Sequence, residues 1–262
     1  MTTLQGITSH QWRVAAETFR VRTDDGVKIY GSSLGDPDPA RPALILAHGM
    51  IGWHRKPKFA AFAERLTPWF TVFAMDLRGH GQSGGVCDFG GDEIHDVEAV
   101  HRLARGRGHA TAISCGTSMG AIAAIRHGGL IGGMQAVVGI SSLAYWDWHD
   151  DAHPRARRDM HARIGTPAGR AALRAFGVRM PDRWDPPESP EEVIGKAAPT
   201  PVVIVHGDDD RLFPPSHARR LYEAAGEPKR LLIGEGVGHA EDGLTSAFAR
   251  KLVDVLGEMV GL

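Results

Sequence analysis

From Ala43 onward, short apolar runs alternate with helix-like segments, and this alternation limits the possible folds more than any other feature of the chain. ALILAH (residues 43–48) is a nearly continuous apolar run, as expected for a strand buried on both faces. FTVFAMD, HATAISC, MQAVVGIS, PTPVVIVHG and KRLLIGEG follow as strands. Between and after them, DEIHDVEAVHRLAR, the stretch from Met119 to His127, PSHARRLYEAA and the stretch from Leu244 to Val260 read as helices. Strands that alternate with helices predict a mostly parallel sheet covered on both faces, with right-handed crossovers. Ahead of the series, TFRVRT and VKIYGSS flank Asp25-Gly26, a hairpin signature. The expected class is α/β, with about eight strands.

One stretch breaks the rhythm. Residues 143–198 hold no convincing strand, but several Pro, three Trp and many Arg. Structureless loops of that length are uncommon in compact domains, so a helical cap inserted after the sixth strand is expected. Residues 1–142 and 199–262 then form the core. A length of 262 residues at 42% hydrophobic suits one well-buried domain with such an insertion. A net charge of −1 gives no global field for nucleic acid or a membrane surface, so neither is an expected partner. The two cysteines, Cys87 and Cys115, rule out a disulfide scaffold and fit a reducing compartment. No apolar run nears the ~20 residues that span a bilayer, and the first residues lack a secretory pattern. A cytoplasmic location is therefore expected. No Gly-rich phosphate loop, zinc-ligand spacing or dinucleotide fingerprint is present, so no cofactor or metal is expected. The oligomeric state stays open, a homodimer included.

The sharpest local signal is Gly116-Thr117-Ser118-Met119-Gly120, which fits G-x-S-x-G, follows HATAISC and precedes a helix-like segment. A nucleophile on a tight strand-to-helix turn needs small flanking residues, and the helix start behind it offers unpaired amides to a developing anion. A serine hydroxyl also needs a base. Of fourteen His, His239 stands apart, because it follows the last strand. Parallel strands put their carboxyl ends on one edge, so its loop opens on the same side as Ser118. A base His needs a carboxylate to hold its tautomer, and PVVIVH runs into Gly207-Asp208-Asp209-Asp210. Charge alone does not choose among the three Asp.

Four blocks in order, His48-Gly49, Asp76-Leu-Arg-Gly-His-Gly-Gln-Ser83, Gly116 to Gly120, and His206-Gly-Asp-Asp-Asp210 with Gly238-His239, resemble the α/β-hydrolase superfamily. The resemblance covers nearly the whole chain outside the cap. It implies Ser118 as nucleophile, His239 as base and Asp210 as orienting acid, with Asp147 after the sixth strand as the alternative acid. It implies an oxyanion hole from the backbone amides of Met119 and Met50, with Ile51 as substitute for Met50. His48, His206 and the Asp76, Arg78, His80 and Ser83 block carry structural roles in this reading. A serine nucleophile points away from the branches that use Asp there, and toward esterase, thioesterase, lactonase, amidase or C–C hydrolase chemistry. A non-catalytic ligand-binding member of the same fold is the rival of another class.

The expected substrate is a small acyl compound held between the sheet edge and the cap. Met50, Trp53, Met119, Trp146, Trp148 and Phe213 fall in loops near that edge and suggest an apolar acyl site, with Trp53, Trp146, Trp148 and Phe213 as its walls. From Arg155 to Arg183 the cap holds eight Arg against Asp159 and Asp182. Such a local excess of guanidinium groups suits an oxyanion on the substrate, or else a solvated helix face.

Overall fold

A computed structural model describes residues 9–146, 158 and 160–261. The hairpin forms as expected, with β1 (Ala16–Arg22) antiparallel to β2 (Lys28–Leu34) across the Asp25-Gly26 turn. Six further strands follow: β3 (Ala43–Ala47), β4 (Thr71–Asp76), β5 (Ala112–Thr117), β6 (Ala136–Ile140), β7 (Val202–Gly207) and β8 (Lys229–Gly234). They join β1 and β2 in one eight-stranded sheet of order β1-β2-β4-β3-β5-β6-β7-β8. Strands β3 to β8 are mutually parallel, and β2 runs against its neighbours.

The buried strands alternate between two apolar cores, one on each face of the sheet. Leu44, Leu46, Val72, Ala74, Val203 and Val205 face one core, where α1 (Pro57–Leu66) and α7 (Ser246–Val260) pack. Ile45, Phe73, Met75, Val202 and Ile204 face the other, covered by α2 (Glu93–Gly106), α3 (Met119–Leu130) and α6 (Ser216–Ala224). A period of two with apolar residues on both sides produces the continuous runs seen in the sequence. Helix α1 is absent from the segments singled out there, although Phe59, Phe62, Ala63 and Leu66 recur at helical spacing and are buried. Strand β5 starts three residues later than HATAISC and runs on through Gly116-Thr117 to the serine itself.

The order β4-β3-β5 reverses direction at the β3/β5 boundary. The chain leaves β3 toward one edge of the sheet and leaves β5 toward the other, which opens a crevice at their carboxyl ends. The loops that begin at His48 and at Ser118 both border that crevice.

Between β6 and β7 the described residues contain no strand. They form a π-helical turn (His161–Gly165), α4 (Pro167–Ala175), α5 (Pro190–Val193) and a 3-10 turn (Ile194–Ala197). Thr166 caps α4 through its hydroxyl, which accepts the Gly169 amide at 3.0 Å, and Pro167 fills the first turn. Met160, Ile164, Leu173, Val178 and Met180 are buried against the body. Main-chain bonds tie the insertion to the loop after β4, from the Cys87 amide to the Arg179 carbonyl (2.7 Å) and from the Arg179 amide to the Gly79 carbonyl (2.8 Å). No helix among the described residues is long and apolar enough to cross a membrane.

Candidate active site

Ser118 sits between β5 and α3 with φ 52° and ψ −118°, a backbone conformation that side chains rarely adopt. The turn closes this sharply because its two glycines leave no alternative. A Cβ on Gly116 would lie 2.0 Å from the Gly120 carbonyl oxygen, and one on Gly120 would lie 2.4 Å from that of Ala47. The serine amide donates to the Ile140 carbonyl at 2.8 Å, so β6 also holds the turn in place.

His239 Nε2 lies 3.0 Å from Ser118 Oγ, and His239 Nδ1 lies 2.7 Å from Asp210 Oδ2. A carboxylate accepts only, so Nδ1 carries the proton and Nε2 faces the serine as acceptor. The structure brings the three residues together across 121 positions of sequence. It also separates the three aspartates. Asp208 accepts the Gly236 amide at 2.7 Å, Asp209 pairs with exposed Arg211, and only Asp210 turns inward. Asp210 Oδ1 accepts the amides of Leu212 and Phe213, both at 2.9 Å, which leaves Oδ2 for the histidine. Burial pushes the Asp210 carboxyl up, but the hydrogen bonds from His239 and the Phe213 amide outweigh it and hold it below its ordinary value. Asp147 and Trp148 lie outside the described residues.

Less visible residues hold this set in place. Ser141, itself at φ 53° after β6, accepts the Ala240 amide at 3.0 Å and so anchors the loop of His239. The Phe213 ring meets the His239 ring edge-on at 5.1 Å. Burial pushes the His206 imidazole down, and its Nε2 donates to the Phe213 carbonyl at 2.8 Å. Sequence reasoning missed Ser141, because a lone serine after a strand carries no pattern.

The loop after β3 presses against the serine. A Cβ on Gly49 would lie 3.1 Å from Ser118 Cβ. His48 sets the shape of this loop. Burial, with the nearby His80 ring adding to it, pushes its imidazole down to about 3, so it is neutral. Its Nδ1 donates to the Gly49 carbonyl (2.8 Å) and its Nε2 accepts the Leu77 amide (3.1 Å). Gly52 is required there, since its Cβ would lie 2.5 Å from the Gly49 carbonyl oxygen. Ile51 takes φ 57°, a strained value for a β-branched residue. The Met50 and Met119 amides donate to no partner among the described residues. Met119 opens α3, where amides are unpaired by helix geometry.

The Asp76 to Ser83 block lies behind this loop and does not line the cavity. Asp76 Oδ1 accepts both the His54 amide and the His54 ring Nδ1 (2.8 and 2.7 Å). Despite burial, these bonds hold its carboxyl near about 2. Ser83 Oγ donates to the Asp76 carbonyl and accepts the Tyr30 amide. Arg78 is clamped by Asp96 and Asp25, and the His80 ring donates to the Arg78 carbonyl.

A cavity of about 470 Å³ opens above Ser118 and His239. Met50, Ile51, Phe89, Met160, Leu212 and Phe213 give it an apolar interior. Lys56 and Lys58 at its mouth pair with Glu241 and Asp242, whereas Arg163 has no partner among the described residues. Of the three described aromatic residues among those expected to wall the site, Trp53, Trp146 and Phe213, the structure brings Phe213 to the cavity. Trp53 turns away and donates to Ser9 Oγ at 3.1 Å. Trp146 donates to the Pro187 carbonyl and packs on Trp184, so it fastens the insertion. Loop position does not fix side-chain direction, which is why both expectations failed. Phe89 was missed for the opposite reason. It lies far ahead of the insertion, at φ 55°, with the Asp88 and Gly90 amides on either side held by the Glu93 carboxyl.

The chain is 26% identical over 259 residues to the uncharacterized protein YfhR of Escherichia coli K12, covering 92% of this chain and 81% of that one. It is 31% identical over 177 residues to the uncharacterized protein YqkD of Bacillus subtilis, covering 65% of this chain and 56% of that one. Among solved structures, it superposes on the Pyrococcus furiosus esterase Pf2001 with a TM-score of 0.74 at 20% identity, covering 96% of this chain and 98% of that one. Est1E from Butyrivibrio proteoclasticus, solved with ferulic acid bound, gives a TM-score of 0.68 at 17% identity, covering 93% and 100%. At such identities these likenesses show the fold. Residues 44–250 match the model of the alpha/beta hydrolase family, to which this chain belongs.

Proposed function

We propose that the protein is a serine hydrolase that cleaves a carboxylic ester or thioester with an apolar acyl part. The observation that carries this reading is the run of contacts from Asp210 through His239 to Ser118, at 2.7 and 3.0 Å, beside two amides with no partner among the described residues. Ser118 Oγ attacks the carbonyl carbon while His239 Nε2 takes its proton. The amides of Met119 and Met50 receive the oxyanion, a contribution of about 3 kcal/mol per donor in a well-studied protease. The intermediate collapses, His239 returns the proton to the departing alcohol or thiol, and the acyl group stays on Ser118. Water, deprotonated by His239, then releases the acid and restores the serine.

The insertion of residues 143–198 acts as the cap, since Met160 and Arg163 line the cavity. Arg170, Arg174 and Arg179 are occupied by carbonyls or Asp182. Among the described residues, Arg163 is the cap arginine that lines the cavity, placed to meet an anionic group on the substrate. Both cysteines are free and buried, in keeping with a cytoplasmic setting.

Fluorophosphonate labelling followed by intact-mass and peptide analysis tests the reading. One adduct on Ser118, lost in Ser118→Ala, is expected, together with turnover of p-nitrophenyl esters or acyl-CoA thioesters. No adduct would favour a ligand-binding role, and preferential cleavage of a diketone would favour C–C bond hydrolysis.

A further inference from the structure

On the face of the sheet that carries α2 and α3, about two turns along α3 from Ser118, three metal-ligating side chains meet outside the active site. Glu98 and His101 form a Glu-x-x-His pair on α2, and His127 faces them from α3. Positions three apart share a helix face, and helical bundles hold metal ions with this same spacing. Glu98 Oε2 lies 3.0 Å from His127 Nε2 and 3.2 Å from His101 Nδ1. The three donor atoms all lie within 4.8 Å of one another. First-row divalent ions sit about 2.0–2.2 Å from such nitrogens and oxygens, so tetrahedral donors stand about 3.4 Å apart. The two spacings from Glu98 are already close to that value, and the third lies within 4.8 Å.

The geometry points to a binding site for a borderline-soft divalent cation, Zn²⁺ or a neighbouring first-row ion, held by Glu98 Oε2, His101 Nδ1 and His127 Nε2. Two imidazoles and one carboxylate are the donor set such ions favour over Mg²⁺ or Ca²⁺. Without metal, both ring nitrogens donate to the Glu98 carboxylate, and an entering ion replaces these two hydrogen bonds as each ring gives up the proton on its ligating nitrogen to solvent or to its other nitrogen. The site also has a way in. The His127 side chain is fully buried, whereas His101 and Glu98 are 12% and 20% exposed, which leaves the outer coordination positions to water. The nearest cation, Arg102, stands 3.9 Å from the other Glu98 oxygen and is turned toward Asp24. His95 lies one turn before Glu98 on the same helix. Bound metal would staple α2 to the helix that begins directly after the nucleophile.

Tag-free, EDTA-treated protein titrated with Zn²⁺ by calorimetry tests this, with Co²⁺ absorption as a second readout. One equivalent is expected to bind with Kd below about 10 µM. A hundredfold excess over Kd is expected to raise the thermal midpoint by at least about 4 °C. His101→Ala, on the helix edge, and Glu98→Gln each weaken binding at least tenfold and abolish the cobalt band, while Ser118→Ala binds as the parent does. His127→Gln removes a fully buried ring and is read only where the variant stays folded. No binding at 100 µM Zn²⁺, or binding unchanged by His101→Ala and Glu98→Gln, overturns the proposal.

Discussion

The turn at Ser118 and the insertion of residues 143–198 face each other across one cavity and are built by opposite means. At the turn, backbone sterics decide nearly everything. Gly116 and Gly120 are required because main-chain atoms stand where their Cβ atoms would go, and a Cβ on Gly49 would crowd the serine. In the insertion, side chains make the contacts: Trp146 and Trp184 pack together, Arg170 and Arg174 reach carbonyls, and Arg163 lines the cavity. On the proposed function, the contrast would set the chemical step in a sterically fixed turn and substrate choice in a region held by side chains.

Substitutions at the turn are expected to have the largest effects. Ser118→Ala should lower kcat for any cleaved ester by about 10⁴-fold or more with the fold intact, measured by steady-state kinetics beside circular dichroism. Asp210→Asn should cost about 10³- to 10⁴-fold through loss of the histidine tautomer, with KM little changed. Gly120→Ala forces a Cβ to within 2.4 Å of a carbonyl oxygen and should cost about 3 kcal/mol or more in urea unfolding. Mild behaviour of that variant would mean that the turn is softer than its contacts imply.

Glu93 links the two regions, because its carboxyl positions the loop of Phe89 beneath the insertion. Burial raises its folded value to about 7 from an ordinary 4.5. Between those values the folded protein holds a proton that the unfolded chain has released. Stability is therefore expected to fall as pH rises across that window, by up to about 1.4 kcal/mol per pH unit. Glu93→Gln should flatten that slope in chemical denaturation at stepped pH.

At the small end, Arg163→Ala should raise KM about tenfold for acyl substrates bearing a carboxylate or phosphate and leave neutral esters unaffected. An equal effect on both classes would remove the arginine from substrate selection.

The same contrast explains what was legible in the sequence. The turn could be read because steric demands leave glycines at fixed offsets, and the sheet because strands buried on both faces become apolar runs. Asp210 could not be separated from Asp208 and Asp209 by charge, since the difference lies in which carboxylate receives the Leu212 and Phe213 amides. The tryptophans misled because an indole in a loop follows whatever acceptor it finds, Ser9 for Trp53 and the Pro187 carbonyl for Trp146. The Glu98, His101 and His127 cluster was invisible because two helices distant in sequence supply it.

Part of the seat of the insertion on the Gly79 and Cys87 loop is made of amides and carbonyls, which any residue but proline brings in full, and the Arg179 side chain adds bonds to the Gly85 and Ser83 carbonyls. A foreign lid spliced between Ile140 and Val202 would find the same docking rail waiting, provided its chain passed over that loop in extended form. New selectivity could then be grafted onto this scaffold without disturbing the machinery beneath it.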